Sequence, residues 1–132
     1  MYCLDTDILI EYLRGNNQIV EKLSSVYGHG VGLFTTFISL CELYRGVYAS
    51  KNMDKQEADI NALLYSVSPL EMDQHSCIFF GKEWNRLQTI GKQTQVIDLM
   101  IASIAAINNL TLVTGNIKHY QNIEGLKMEK WC

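Results

Sequence analysis

Proline occurs once in this chain, at Pro69, and serine and glycine nowhere crowd together as they would in a linker. No block of like charge interrupts the sequence. The compositional signature of a disordered chain is therefore missing. No apolar run approaches the roughly 20 residues that a membrane-spanning helix requires. The opening stretch, MYCLDTDILIEYLRG, carries Asp5, Asp7 and Glu11 where a signal peptide needs a basic start and an unbroken apolar core. What remains is a 132-residue chain with 48% apolar and 19% charged residues, enough for one globular domain with a full core. We expect a single domain over 1–132, soluble and cytoplasmic.

Metal-binding spacings of the zinc type are also missing. Cys3, Cys41, Cys77 and Cys132 are far apart, and three of them sit in apolar sequence, which suits thiols acting as small hydrophobes rather than a disulfide framework. His29, His75 and His119 form no HxxxH or CxxH arrangement. The net charge of −3 excludes a broad basic surface for nucleic acid. A small cleft with a few local cations is still allowed.

The pattern that is present alternates short apolar runs with helical periodicity. Tyr2 to Leu4, Leu33 to Thr36, Val67 to Met72 (an edge strand because of Pro69), Leu110 to Thr114 and Lys127 to Trp131 read as strands. Between them lie helices Ile8 to Arg14, which Gly15 can end, Ile19 to Tyr27, one from Ser39 with Leu40, Leu43 and Val47 on a stripe, Asp54 to Tyr65, and one capped by Asp73 with Cys77, Phe80, Trp84 and Leu87 on one face. Asp98 to Asn108 is apolar almost all round and should be buried. Strands alternating with helices predict an α/β fold, a three-layer α/β/α sandwich around a mostly parallel sheet. Ligands of such sheets bind beyond the carboxyl ends of the strands, where strand order reverses.

Polar side chains gather at those ends. Asp5, Glu42, Asp98 and Asn116 each border an apolar segment, and acids are costly inside a fold unless something pairs with them. Three carboxylates and a carboxamide aimed at one region suit a hard divalent cation, Mg²⁺ or Mn²⁺. Each has a plainer reading. Asp5-Thr6-Asp7 can cap a helix. Ser39-Leu40-Cys41-Glu42 is S-x-x-E, a capping box in which Glu42 would reach back to the Ser39 amide. Asp98 can sit favourably at the positive end of its helix, and Thr114-Gly115-Asn116 can be an ordinary turn.

Taken together, LDTDILIEYL, SLCELYRGV, IDLMIASIA and LVTGNIKHYQNIEGLK resemble, in order and spacing, the PIN-domain ribonucleases, especially the small VapC-type toxins of toxin–antitoxin pairs. That resemblance implies a metal-dependent endoribonuclease that pairs as a homodimer and is held by a VapB-like antitoxin. It implies acidic ligands at Asp5, Asp98 and Glu42, with Thr114 and Asn116 as the T-x-N/D element. The fourth acid of many members is Asn116 here, which would coordinate without charge. Thr6, Asp7 and Thr114 are expected in support, and Arg14, Arg45 and Lys92 as contacts for RNA phosphates. Tyr44, Tyr48, Leu63, Leu64 and Tyr65 offer apolar surface for the dimer or the antitoxin. Two other readings exist: a PIN-like module that binds RNA or protein without cutting, and a D-x-D phosphatase with Asp5 as nucleophile.

Overall fold

In the computed structural model, residues 1–131 are described; Cys132 lies outside them. The chain order is β1 (Tyr2–Leu4), α1 (Thr6–Leu13), α2 (Asn17–Gly28), β2 (Leu33–Thr36), α3 (Phe37–Tyr48), α4 (Met53–Leu63), β3 (Ser68–Leu70), α5 (Gln74–Thr89), α6 (Val96–Ile107), β4 (Thr111–Val113), α7 (Ile117–Tyr120) and β5 (Lys127–Glu129). The strands form one five-stranded sheet in the order β3-β2-β1-β4-β5, every pairing parallel. From β1 the chain steps outward to β2 and β3, then returns to pair β4 on the other side of β1. The switch point of the sheet is thus the seam between β1 and β4.

Helices cover both faces because successive residues of the short strands are buried on opposite sides. Leu4 and Val113 enter a core with Ile8, Leu9, Leu23, Leu40 and Ile60 from α1 to α4. Cys3 and Leu112, their chain neighbours, enter a second core with Leu87, Leu99, Ile101 and Tyr120 from α5 to α7. Full burial of a single leucine or isoleucine of this kind stabilises by about 1.5–3 kcal/mol. The expected sandwich is the one observed.

Local boundaries moved where a cap decides them. The helix predicted to begin at Ser39 begins at Phe37, because Thr36 is its N-cap and the Thr36 hydroxyl accepts the Ser39 amide at 3.0 Å. Gly15 ends α1 as expected, with φ of +81°, a conformation that glycine adopts at little cost. Asp73 caps α5 through the Ser76 amide at 2.9 Å. The cysteine expectation is corrected: Cys3 is buried, but Cys41 and Cys77 are exposed. Cys77 does not share the inward face of α5, whose buried residues are Ser76, Glu83 and Leu87.

Glu83 is the unexpected member of that face. It receives Arg86 through two contacts, at 2.7 and 2.8 Å, and the Glu124 amide at 2.8 Å, while Arg86 also donates to the Asn122 carbonyl at 2.6 Å. Hydrogen bonding from Arg86 holds the Glu83 carboxyl below the usual range, so the pair stays charged. The network fastens the turn after α7 to α5. It thereby fixes the approach of α7 to the carboxyl ends of β1 and β4.

Candidate active site

Asp5 follows directly on β1 and is the N-cap of α1. Its amide donates to the Val113 carbonyl at 2.9 Å, which sets it beside the end of β4. One carboxylate oxygen, Oδ1, accepts the Thr6 amide at 2.8 Å. The other, Oδ2, accepts the Thr114 hydroxyl at 2.8 Å and the Tyr120 hydroxyl at 2.9 Å. Asp5 is 5% exposed. Desolvation, and then the neighbouring charge of Asp7, push its carboxyl up to about 6 against the opposing pull of those three donors. Helix capping therefore accounts for only one of its two oxygens.

Asp7 occupies the first turn of α1 and turns toward the loop after β4. Its Oδ2 accepts the Gly115 amide at 2.9 Å and the Asn116 carboxamide at 3.3 Å. Position 115 needs glycine for this approach, since a Cβ there would lie 2.8 Å from Asp7 Oδ2. The second oxygen, Oδ1, is buried without any partner. Desolvation is the main reason the Asp7 carboxyl is raised, with Glu11 adding a smaller repulsion. A buried carboxylate oxygen with no donor costs free energy, and such orphans call for an explanation.

Glu42 lies on the second turn of α3. The capping-box reading is corrected here, because Thr36 already satisfies the Ser39 amide and Glu42 instead accepts the Thr6 hydroxyl at 2.6 Å. Ser39 Oγ stands 3.0 Å from the same Thr6 oxygen. Thr6 thus joins α3 to the end of β1 between two acidic positions. Asp98 is the third residue of α6, in a helix whose N-cap is Gln95, so it is not the cap itself. Its Oδ1 lies 3.4 Å from the Tyr120 hydroxyl and its Oδ2 lies 3.4 Å from His119 Nδ1. Burial raises the Asp98 carboxyl; His119 opposes the rise, and the negative fields of Glu42 and Asp7 add to it. Those fields place Asp98 in one electrostatic neighbourhood with the other acids.

Thr114 is fully buried, and its hydroxyl accepts the Asn116 amide at 3.0 Å while donating to Asp5. Asn116 itself is exposed at the start of α7, with its carboxamide turned to Asp7. The candidate cations divide. Arg14 is exposed and shares a groove of about 430 Å³ with Glu42, floored by Ile10, Leu13, Leu43, Val47 and Ile60. Arg45, in the last turn of α3, and Lys92, after α5, are exposed and make no ion pair with any of these acids among the described residues. Of the apolar surface expected for association, Leu63 is core and Leu64 is half-buried, whereas Tyr48 and Tyr65 are exposed.

Two contributors escaped the sequence. Tyr120, only 1% exposed, stands between Asp5 and Asp98; His119 stands against Asp98. Both belong to α7, a single turn too short to register as a periodic pattern. Among the described residues no three His, Cys, Asp or Glu side chains are gathered tightly enough to form a complete cation cage. The Tyr120 hydroxyl lies between Asp5 and Asp98, Thr6 touches Asp5 with its amide and Glu42 with its hydroxyl, and Thr114 donates to Asp5. A set of this kind fits Mg²⁺ or Mn²⁺, which is commonly held by one or two carboxylates with water completing the shell. The unpartnered Oδ1 of Asp7 and the raised Asp5 carboxyl are what a cation would relieve.

A parallel sheet with acids at its switch point defines a class that comparison with known proteins identifies. Residues 2–124 match the PIN domain, and the chain belongs to that family. Ribonuclease VapC1 of Haemophilus influenzae is 30% identical over 131 residues, covering 99% of this chain and 98% of that protein. The tRNA(fMet)-specific endonuclease VapC of Salmonella typhimurium is 28% identical over 131 residues, 99% of this chain and 98% of that protein. Among solved structures, VapBC2 from Rickettsia felis bound to a DNA fragment from its promoter superposes with a TM-score of 0.92 at 26% identity, covering 99% and 98% of the two chains. VapBC-1 from nontypeable Haemophilus influenzae superposes at 0.88 and 31% identity, covering 98% and 97%. Within the family the relatives are VapC ribonucleases, and the phosphatase reading falls with that match.

Proposed function

We propose that this chain is the endoribonuclease toxin of a VapBC-type pair, acting in the cytoplasm and dependent on Mg²⁺ or Mn²⁺. Its VapC relatives and VapBC structural neighbours support the ribonuclease and toxin assignment. The observation that carries the metal dependence is the combination of a buried Asp5 pushed up to about 6 and a buried Asp7 oxygen without a donor, at the switch point of the sheet.

Asp5 and Asp98 would hold the cation, with Asp7 contributing its free oxygen and Glu42 reached through Thr6. When bound, the metal supplies an activated water and neutralises charge on the scissile phosphate. The protein's own part is positional. Thr114 and Tyr120 fix one oxygen of Asp5, and Thr6 fixes Glu42. Asn116 orients Asp7 without adding charge. Arg14, beside Glu42 at the groove, is the best placed of the three cations to meet an RNA phosphate.

The groove between α1, α3 and α4 combines an apolar floor with Glu42, Arg14, Lys55 and Asp59 along it. We assign it to a segment of a VapB-like antitoxin, which would block substrate by occupying the approach to Glu42. A homodimer completes the proposed assembly, with exposed aromatic residues of α3 and the end of α4 as its apolar surface. The test is cleavage of RNA by the purified chain with Mg²⁺, Mn²⁺ or chelator. Cleavage with either ion, lost in chelator and in Asp98→Asn, is expected; metal-independent cleavage, or none in any condition with folded protein, would overturn the proposal.

A further inference from the structure

Tyr120 brings a phenol into the acidic centre from below. Its ring is packed in the second core beside Leu99 and Leu112, and it is 1% exposed. Its hydroxyl lies 2.9 Å from Asp5 Oδ2 and 3.4 Å from Asp98 Oδ1. A phenol carries one hydrogen, so two carboxylates face a single neutral donor. The core needs only the ring; phenylalanine would fill the same volume without burying a hydroxyl. A buried hydroxyl that serves two acids on different elements, the end of β1 and the first turn of α6, has a use beyond packing.

We propose that Tyr120 is a positioning residue of the cation site, a neutral strut that holds the Asp5 and Asp98 carboxylates in the arrangement a divalent ion needs. This rests on the metal-dependent reading above. Three features make the strut stiff. Thr114 shares the same Asp5 oxygen, so that carboxylate cannot rotate away without losing two donors. The Tyr120 carbonyl accepts the Ile123 amide at 3.1 Å, and the turn that follows is clamped by Glu83 and Arg86. The ring itself is enclosed by core residues. Groups that orient metal-binding carboxylates typically contribute 10–100-fold to metal affinity.

The experiment is calorimetric titration of Mn²⁺ into the natural chain and into Tyr120→Phe, each confirmed folded by circular dichroism. Binding weakened about tenfold or more in the Phe variant is expected. A dissociation constant that is unchanged or tighter overturns the inference. If the natural chain itself binds no Mn²⁺, the metal-dependent reading has failed instead, and the two failures are told apart. Combining Tyr120→Phe with Asp98→Asn separates positioning from packing. A strut predicts that Tyr120→Phe weakens Mn²⁺ binding less in the Asp98→Asn background than in the natural chain, whereas an equal loss in both backgrounds argues for packing alone. Should Tyr120→Phe not fold, the natural chain still decides: addition of Mg²⁺ must shift the Tyr120 ring resonances in NMR spectra, and unshifted resonances at saturating metal overturn the proposal.

Discussion

Asp5 is where the chemistry of this chain is concentrated. Its carboxyl is raised from the ordinary value to about 6, so the folded protein binds a proton there more tightly than the unfolded chain. In the metal-free protein that term favours folding at low pH and is lost as pH rises toward and through about 6. Just over two pH units correspond to a penalty on the order of 3 kcal/mol for the ionised form. Asp5→Asn removes the charge, so its stability relative to the natural chain should grow between pH 4 and pH 7 and level off above. Urea denaturation of metal-free protein across that range checks this; a pH-independent difference would contradict it. Asn116 gives a second expectation. Asn116→Asp sets a carboxylate against Asp7 Oδ2 in place of a donor at 3.3 Å. The metal-free melting temperature should fall, while the stabilisation on adding Mn²⁺ should increase; a smaller Mn²⁺ response would place residue 116 outside the metal's surroundings.

At the scale of elements, much of the architecture was legible because pattern and burial agree. The apolar runs at 2–4, 33–36 and 111–113 are strands whose neighbours alternate between two cores, and the stripe of Leu40, Leu43 and Val47 is the buried face of α3. The errors have local physical causes. Ser39 followed by Glu42 satisfied a capping rule that Thr36 had already fulfilled, and only the neighbouring strand end reveals that Glu42 has Thr6 to bond. Tyr120 and His119 stayed hidden because α7 is one turn long and its role depends on a contact 115 positions away in sequence. The cap assignment has a direct check. Thr36→Ala should cost about 1 kcal/mol in urea denaturation, and Glu42→Ala clearly less. The reverse order would restore the capping box.

For the whole molecule, the switch point between β1 and β4 brings residues from the ends of these two strands together with others from α1, α3, α6 and α7 in one acidic centre, and the α1–α3–α4 groove leads to its Glu42 edge. Among the described residues no helix is long and apolar enough to cross a membrane. Sedimentation velocity at micromolar concentration should return a species of twice the 15.0 kDa chain mass; a sharp 15.0 kDa boundary would remove the dimer and leave the nuclease standing. The central claim, that this acidic centre cuts RNA with a divalent ion, is tested most directly by one gel assay. Natural chain and Asp5→Asn are incubated with labelled RNA over a Mn²⁺ titration. The account predicts cleavage that rises with Mn²⁺ for the natural chain and falls at least a hundredfold in the variant; equal cleavage by both proteins would contradict it.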